Sequence, residues 1–216
     1  MAIVKVAALL FNMDGVLVDS RPAIDRVRRR WARKVGLDEE TVVALPHGRK
    51  TSDIIAELAP DLDVREETRW LDADEERDLE GIAAIPGAAA LLSSLEPSEW
   101  AVVTSSGRTL APKRLAAAGL PLPRWIISGD MVDHGKPAPD GYQMGAVRLG
   151  CAPANCVVVE DAPAGIEAGL AAAMRVIGVA TTYPREELGR ATAIVRDLRG
   201  ITVRRVGGAL TLLLQS

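Results

Sequence analysis

Short apolar runs alternate with helical patterns along most of this chain, and this alternation constrains its fold more than any other feature. The runs with the composition of buried parallel strands are VKVAALLF (4–11), WAVVT (100–104), WIIS (125–128), CVVVE (156–160) and the shorter MRVIGV (174–179). Patterns typical of helices lie between them, at 87–96, 108–119, 138–149 and 163–173. The alternation predicts an α/β fold, a doubly wound parallel sheet with helices on both faces.

The segment from 21 to 80 interrupts this alternation because it contains no convincing strand. It contains helical patterns instead, at 22–36, 51–59 and 65–79. We therefore expect an all-helical subdomain inserted after the first strand, covering the sheet as a cap. The predicted division is a core over 1–16 and 84–216 and a cap over 17–83.

Composition narrows the classes of function. The chain has 216 residues, 48% hydrophobic and 25% charged, with a net charge of −3, which is ordinary for a soluble globular protein. This charge gives no indication of a nucleic-acid or membrane partner, and no apolar stretch reaches the roughly 18–20 residues of a membrane span. Cys151 and Cys156 match neither a metal-ligand pair nor a disulfide framework, so we expect a reducing, cytoplasmic location.

The basic run RVRRRWARK (26–34) lies in the first helical pattern of the insertion. Basic residues on a helix most often form a solvated face, and this is the interpretation favoured here over a role toward a substrate. Trp31, within the same run, is interpreted as a packing residue.

Polar side chains follow the predicted strands where each strand ends. They are Asn12 and Asp14 after the first, Thr104, Ser105 and Ser106 at the second, Lys136 on the loop after the third, and Glu160 and Asp161 at the fourth. Because ligands of parallel α/β sheets bind outside the carboxyl ends of the strands, we expect these groups to form one site.

The chemistry of this set suits a phosphorylated ligand and Mg²⁺, which prefers oxygen donors and shares its shell with phosphate. Lys136 can neutralise a phosphate, and the Thr104 hydroxyl with nearby backbone N–H groups can bind phosphate oxygens. Asp14 lies two residues beyond position 12, on the same side of an extended chain, and can act as general acid and base. A carboxylate at position 12 would complete the site as a nucleophile that forms an aspartyl-phosphate.

These residues make the sequence similar to the haloacid dehalogenase (HAD) superfamily, specifically to its helical-cap sugar-phosphate phosphatases and β-phosphoglucomutases. The motifs that carry the resemblance occur in order as FNMDGVLVDS, VVTSS, GKPAPDGY and VVVEDAPAGIEAGLAA. The resemblance covers about 1–20 and 86–185, and it implies a Rossmann-like core with a mobile cap inserted after the first motif.

The resemblance also implies a role for each matching position. Asn12 occupies the nucleophile position and Asp14 that of the acid/base, while Thr104 binds the transferring phosphoryl group and Lys136 pairs with it. The implied metal site draws on Asn12, on Asp14 through its backbone carbonyl, on Asp161 and on Glu160.

Further substrate-binding positions are implied by the resemblance. Ser105 and Ser106 lie in the phosphate-binding turn. The string HGRKTSDII (47–55) is similar to a substrate-specificity loop, in which His47, Arg49 and Lys50 would face the substrate. Arg49 has the alternative interpretation of a surface cation, and for His47 a surface role is favoured.

Asn12 departs from the family pattern because an amide is a much poorer nucleophile than a carboxylate and lacks its charge. Three explanations are open. The substitution is deliberate and holds a ligand without turnover, or it is natural in a protein that binds a phosphorylated ligand without catalysis, or slow deamidation restores a carboxylate. The complete set of other catalytic residues favours the first.

The leading hypothesis is an Mg²⁺-dependent phosphatase of a small sugar or polyol phosphate, a monomer with no partner besides its small phosphorylated metabolite. A phosphomutase of the β-phosphoglucomutase type is the nearest alternative, and a non-catalytic phosphometabolite-binding protein is another. A carbon–halogen hydrolase is disfavoured because it gives no role to Asp14 or to the Glu160–Asp161 pair.

Overall fold

The computed structural model describes residues 2–46, 48–206 and 209–215. The strands are β1 (Ala2–Val6), β2 (Ala8–Phe11), β3 (Val18–Asp19), β4 (Ala83–Ala84), β5 (Trp100–Val103), β6 (Ile126–Ile127), β7 (Cys156–Glu160), β8 (Arg175–Val179), β9 (Ala193–Val195), β10 (Ile201–Val206) and β11 (Ala209–Leu214). The α-helices are α1 (Arg21–Val35), α2 (Glu39–Val43), α3 (Thr51–Leu58), α4 (Val64–Arg77), α5 (Ala88–Ser93), α6 (Leu110–Ala117), α7 (Asp140–Leu149) and α8 (Pro163–Ala171).

The main sheet has six parallel strands in the order β6-β5-β2-β7-β8-β9, which confirms the predicted α/β fold. Two large clusters of buried apolar side chains cover its two faces. At the centre, Phe11 of β2 lies opposite Val102 of β5 and Val159 of β7. This register brings the carboxyl ends of three strands to the same level, so the residues that follow them meet at one edge.

The prediction of one buried strand over 4–11 is wrong. Only β2 joins the main sheet, whereas β1 pairs antiparallel with β11 in a separate sheet of order β1-β11-β10. The exposed Ala7 forms a bend between the two strands. Exposed Lys5 next to buried Val6 indicates a strand with one solvated face, whereas all four residues of β2 are buried.

Helices α1–α4, called here the helical segment (21–77), lie between β3 and β4. The division into a core and a cap over 17–83 stays a prediction. Strands β3 and β4 pair antiparallel, so the chain enters and leaves the helical segment side by side. The segment has its own apolar cluster of Val27, Trp31, Ala32, Val42, Ile55 and Leu71. Helix α2 was not predicted because it has only five residues. No helix in the described part of the chain is long and apolar enough to cross a membrane.

The basic run of α1 is not the freely solvated face expected from the sequence. Arg26 and Arg30 both bind Asp78, at 2.5 and 2.8 Å, just beyond the end of α4. Arg28 is half-buried and donates hydrogen bonds to backbone carbonyls at 43, 45 and 46. Trp31 is buried and packs inside the segment, in agreement with its predicted role.

Candidate active site

Asn12 lies at the centre of the site, directly after β2. Its Oδ1 accepts a hydrogen bond from Lys136 Nζ at 3.0 Å. Its Nδ2 donates to Asp161 Oδ1 at 2.9 Å and to the backbone oxygen of Asp14 at 2.8 Å. Only 3% of Asn12 is exposed. Lys136 and Asp161, which are distant in sequence, therefore converge on one buried amide.

Glu160, the last residue of β7, is surrounded by hydrogen-bond donors. Its Oε1 accepts from Lys136 Nζ at 2.6 Å and from the Tyr142 hydroxyl at 2.9 Å. Its Oε2 accepts from the backbone N–H groups of Asp161 and Ala162 at 2.8 and 3.1 Å. Both oxygens therefore accept hydrogen bonds, and one of these bonds holds Lys136. The assignment of Glu160 as a metal ligand stays a prediction.

Asp161, the residue after β7, is a buried carboxyl group. Burial, followed by the negative charge of Glu160, raises its pKa to about 8, and hydrogen bonds from Thr182 and Asn12 oppose this rise. A cation bound beside Asp161 would favour its ionised form.

Asp14 follows the strand end and is held by several side chains. Its Oδ1 accepts hydrogen bonds from Ser20 Oγ at 2.5 Å and from Arg114 Nη1 at 2.9 Å. Its Oδ2 accepts one from Ser106 Oγ at 3.0 Å. These hydrogen bonds fix the orientation of the carboxylate.

Gly15 allows the turn after Asp14 to approach the rest of the site. Its φ of +79° lies in the left-handed region, and a Cβ at this position would lie 2.0 Å from Asp161 Oδ2 and 2.4 Å from Thr182 Oγ1. A larger residue would push the turn away from Asp161, so glycine preserves the contact between these two segments.

The turn after β5 carries the predicted phosphate-binding hydroxyl groups. The Ser106 N–H donates to Thr104 Oγ1 at 3.1 Å, which fixes the Thr104 hydroxyl at the start of the turn. Ser105 Oγ donates to the backbone oxygen of Gly48 at 2.7 Å and so links the sheet to the helical segment. Ser106 instead contacts Asp14, as described above.

A cavity of about 370 Å³ lies between this edge of the sheet and the helical segment. On the sheet side it is lined by Asn12, Asp14, Thr104, Ser105, Ser106 and Asp161. On the helical side its lining includes Arg28, Trp31, Arg49, Ile54 and Glu75. Its volume is in the range of pockets that hold small molecules.

The predicted loop residues of the helical segment have different surroundings. Arg49 lines the cavity and pairs with Glu57 at 2.9 Å. Lys50 is not among the described residues that line this cavity, and its Nζ donates to the backbone oxygen of Val132 at 3.0 Å. His47 lies outside the described residues, so its predicted role stays a prediction.

The fit of a metal ion depends on position 12. No group of three or more His, Cys, Asp or Glu residues within 2–46, 48–206 and 209–215 is arranged to hold a metal. The amide nitrogen of Asn12 contacts the two oxygens, from Asp14 and Asp161, that the sequence assigned to Mg²⁺. An oxygen in place of this nitrogen would create three converging oxygens without a donor between them, which suits Mg²⁺. The donor set therefore fits the ion when position 12 is a carboxylate.

Sequence reasoning missed several charged residues of the cavity wall, among them the pair Arg114 and Glu75. Arg114 of α6 is 1% exposed, and its Nη2 donates to Glu75 Oε2 of α4 at 3.0 Å. A signal existed for both. Arg114 lies four residues after the buried Leu110, and Glu75 lies four residues after the buried Leu71, so each falls on the apolar stripe of its helix.

The model of the haloacid dehalogenase-like hydrolase family matches residues 9–179. The chain belongs to this family. It is 42% identical over 201 residues to hexitol phosphatase A of Escherichia coli K12, a match that covers 91% of this chain and 93% of the relative. It is 37% identical over 222 residues to glycerol-1-phosphate phosphohydrolase 2 of Saccharomyces cerevisiae, covering 94% and 86% of the two chains.

The HAD-like fold is also found in solved structures. A β-phosphoglucomutase from Clostridium difficile superimposes with a TM-score of 0.78 at 23% sequence identity. The match covers 89% of this chain and 92% of the other. At this identity the likeness establishes the fold alone.

Proposed function

We propose that this protein is a phosphatase of a small polyol or sugar phosphate, with residue 12 in the nucleophile position and Mg²⁺ as cofactor. The observation that carries the proposal is the position of Asn12, which lies below the cavity between Lys136 and Asp161. Its family and its phosphatase relatives make the chain a phosphoric monoester hydrolase of the HAD type. The relatives named for hexitol and glycerol phosphates favour a polyol leaving group.

The residues of the site divide the chemistry among them. Lys136, held by Glu160, offers a positive charge to the phosphoryl group, and Thr104 and the turn that follows bind its oxygens. Asp14 protonates the leaving oxygen and then activates water. Mg²⁺, when bound, would neutralise phosphoryl charge beside the Asp14 carbonyl and Asp161.

The helical segment acts as a cap in this proposal. It closes the cavity from above and places Arg28 and Arg49 around the part of the ligand that is not phosphate. Guanidinium groups can bind the hydroxyl groups of a polyol. Closure also keeps bulk water from the phosphoryl group.

Asn12→Asp tests the proposal. We expect it to raise Mg²⁺-dependent phosphate release from hexitol, hexose and glycerol phosphates by at least about 100-fold, because a carboxylate replaces an amide as nucleophile. Removal of Mg²⁺ with a chelator should abolish this gain. The matched control is Asn155→Asp, which makes the same change at an exposed residue next to the opposite end of β7. No gain for Asn12→Asp on any of these substrates would contradict the proposal.

A non-catalytic binding protein is the second candidate, and one observation favours it. Both ends of the Asn12 amide have hydrogen-bond partners, so asparagine fits this place without a buried polar atom left unpaired. This candidate predicts that the chain binds polyol phosphates and that Asn12→Asp binds them without releasing phosphate. Calorimetric titration beside the release assay distinguishes the two.

A further inference from the structure

Arg114 joins the sheet side of the cavity to the helical side. Its Nη1 donates to Asp14 Oδ1 at 2.9 Å, and its Nη2 donates to Glu75 Oε2 at 3.0 Å. Its side chain is 1% exposed. A guanidinium this deeply buried is stable only when paired, and these two carboxylates provide the pairing.

Few other contacts fix the orientation of this guanidinium. Besides the carboxylates, Nη1 contacts Ser106 Oγ at 3.1 Å, and the buried Nε has no hydrogen-bond partner. On the Nη2 side, the one hydrogen bond found within the described chain goes to Glu75. Removal of Glu75 would therefore leave the group held from the Asp14 side only, free to rotate into the cavity.

Glu75 is half-buried at the cavity wall, with 15% of its side chain exposed. Burial is the main reason that its pKa is raised, and the charge of Arg114 opposes this rise. Glu75 belongs to α4 of the helical segment, whereas Arg114 belongs to α6 beside the sheet. The contact between them forms only when the helical segment lies over the sheet.

We propose that Glu75 and Arg114 are positioning residues, in which Glu75 fixes Arg114 and Arg114 fixes Asp14 for proton transfer to the leaving oxygen. The inference rests on the proposed phosphatase function. It makes the orientation of the acid/base group depend on the position of the helical segment. Orientation errors of about 1 Å can lower rates by about 100-fold.

The helix that carries Glu75 also offers a matched control. The next residue, Glu76, binds Lys113 of α6 at 2.7 Å, so it joins the same two helices. This second pair is more exposed and lies outside the cavity lining. Glu76→Ala therefore removes a contact between the helices without touching Asp14.

The kinetic test compares three variants in the Asn12→Asp protein. We expect Glu75→Ala to lower kcat by about 10- to 100-fold with KM changed less than about threefold, because orientation is lost and binding is kept. Glu75→Gln keeps an acceptor for Arg114 and should recover part of kcat. Glu76→Ala should leave both constants within about twofold of the parent. Equal falls for both alanine variants, a fall confined to KM, or no recovery with glutamine would overturn the inference.

A second measurement separates this inference from the proposed function. In the unchanged Asn12 protein, ¹⁵N NMR of guanidinium groups detects restricted rotation of the Arg114 Nη groups, with Arg114→Lys to assign the signals. We expect these signals to be lost in Glu75→Ala and kept in Glu76→Ala, and signals that persist in Glu75→Ala would overturn the inference. If the signals behave as expected but Asn12→Asp is inactive, the bridge is supported and the proposed function fails.

Discussion

Two lysine–glutamate pairs in this molecule have the same chemistry but different surroundings. Beside the sheet, Lys136 binds Glu160, which also accepts a hydrogen bond from Tyr142. In the helical segment, Lys34 binds Glu67, which also accepts one from Trp31. Each lysine lies within 5.5 Å of an aromatic ring centre. The glutamate and the aromatic neighbour of each lysine therefore do not distinguish the two pairs.

What distinguishes them is burial and what else the lysine reaches. The side chain of Lys136 is 6% exposed and also binds Asn12 in the site, whereas that of Lys34 is 36% exposed. A strong ion pair alone therefore does not indicate a functional group. The third partner of the lysine, at the edge of a cavity, does.

The largest expected difference between the two pairs is in stability. Lys136→Met should lower the free energy of unfolding by about 3–5 kcal/mol, because it leaves the charge of Glu160, only 1% exposed, without a positive partner. Lys34→Met should lower it by about 1 kcal/mol, because this pair is partly open to solvent, with Lys34 36% and Glu67 9% exposed. Urea denaturation of the two variants measures both, and equal losses would show that burial does not separate the pairs.

Asp78 provides a second test of the difference between the helical segment and the site. Its charge pairs with Arg26 and Arg30 of α1 and does not contact the site. Hydrogen bonds from Arg26 and then Arg30 lower its pKa to about 2 despite partial burial. The stabilisation is therefore present above the unfolded value near 4 and is lost as the pH falls toward about 2. Asp78→Asn should cost about 2 kcal/mol at pH 7 and almost nothing at pH 2.

Denaturation with urea at several pH values checks this dependence. Asp61→Asn, at an exposed position of the same segment, is the control and should change stability little at any pH. A loss for Asp78→Asn that stays constant down to pH 2 would contradict the assignment of the effect to its charge.

The smallest expected effect concerns Glu67. Its pKa is lowered, mainly by the hydrogen bond from Lys34, so its stabilisation is present above the unfolded pKa and is lost as the pH falls through the folded value. Glu67→Gln should cost about 1 kcal/mol at pH 7. In the Asn12→Asp protein it should leave phosphate release unchanged, whereas Glu160→Gln should lower it. A change in release with Glu67→Gln would break the distinction between the pairs.

The sequence predicted the strand ends well because buried parallel strands are continuous apolar runs. The runs before Thr104 and Asp161 have this property, and register then places both beside Asn12. The run 4–11 was wrongly predicted as one strand because β1, an antiparallel strand with similar residues, precedes β2. Apolar character alone does not reveal such a change of sheet.

The hydrogen-bond and ion-pair partners of the site residues were harder to predict than the positions of those residues. The sequence indicated a carboxylate at Glu160 but not the side chains that donate to it, because Lys136 and Tyr142 belong to another segment of the chain. Arg114 and Glu75 were missed for a related reason. A charge on the apolar stripe of a helix has meaning only when the opposite charge on another helix is known, and the packing of the helical segment supplies that information.

The paired strands β3 and β4 have a consequence for how such proteins diversify. Val18 and Asp19 pair with Ala84 and Ala83, so the two connections to the helical segment are hydrogen-bonded neighbours. The helical segment between them can be replaced by another segment of different length without moving the site residues at the carboxyl edge of the sheet. Recognition can therefore change in evolution, or by grafting, while the chemistry below is inherited intact.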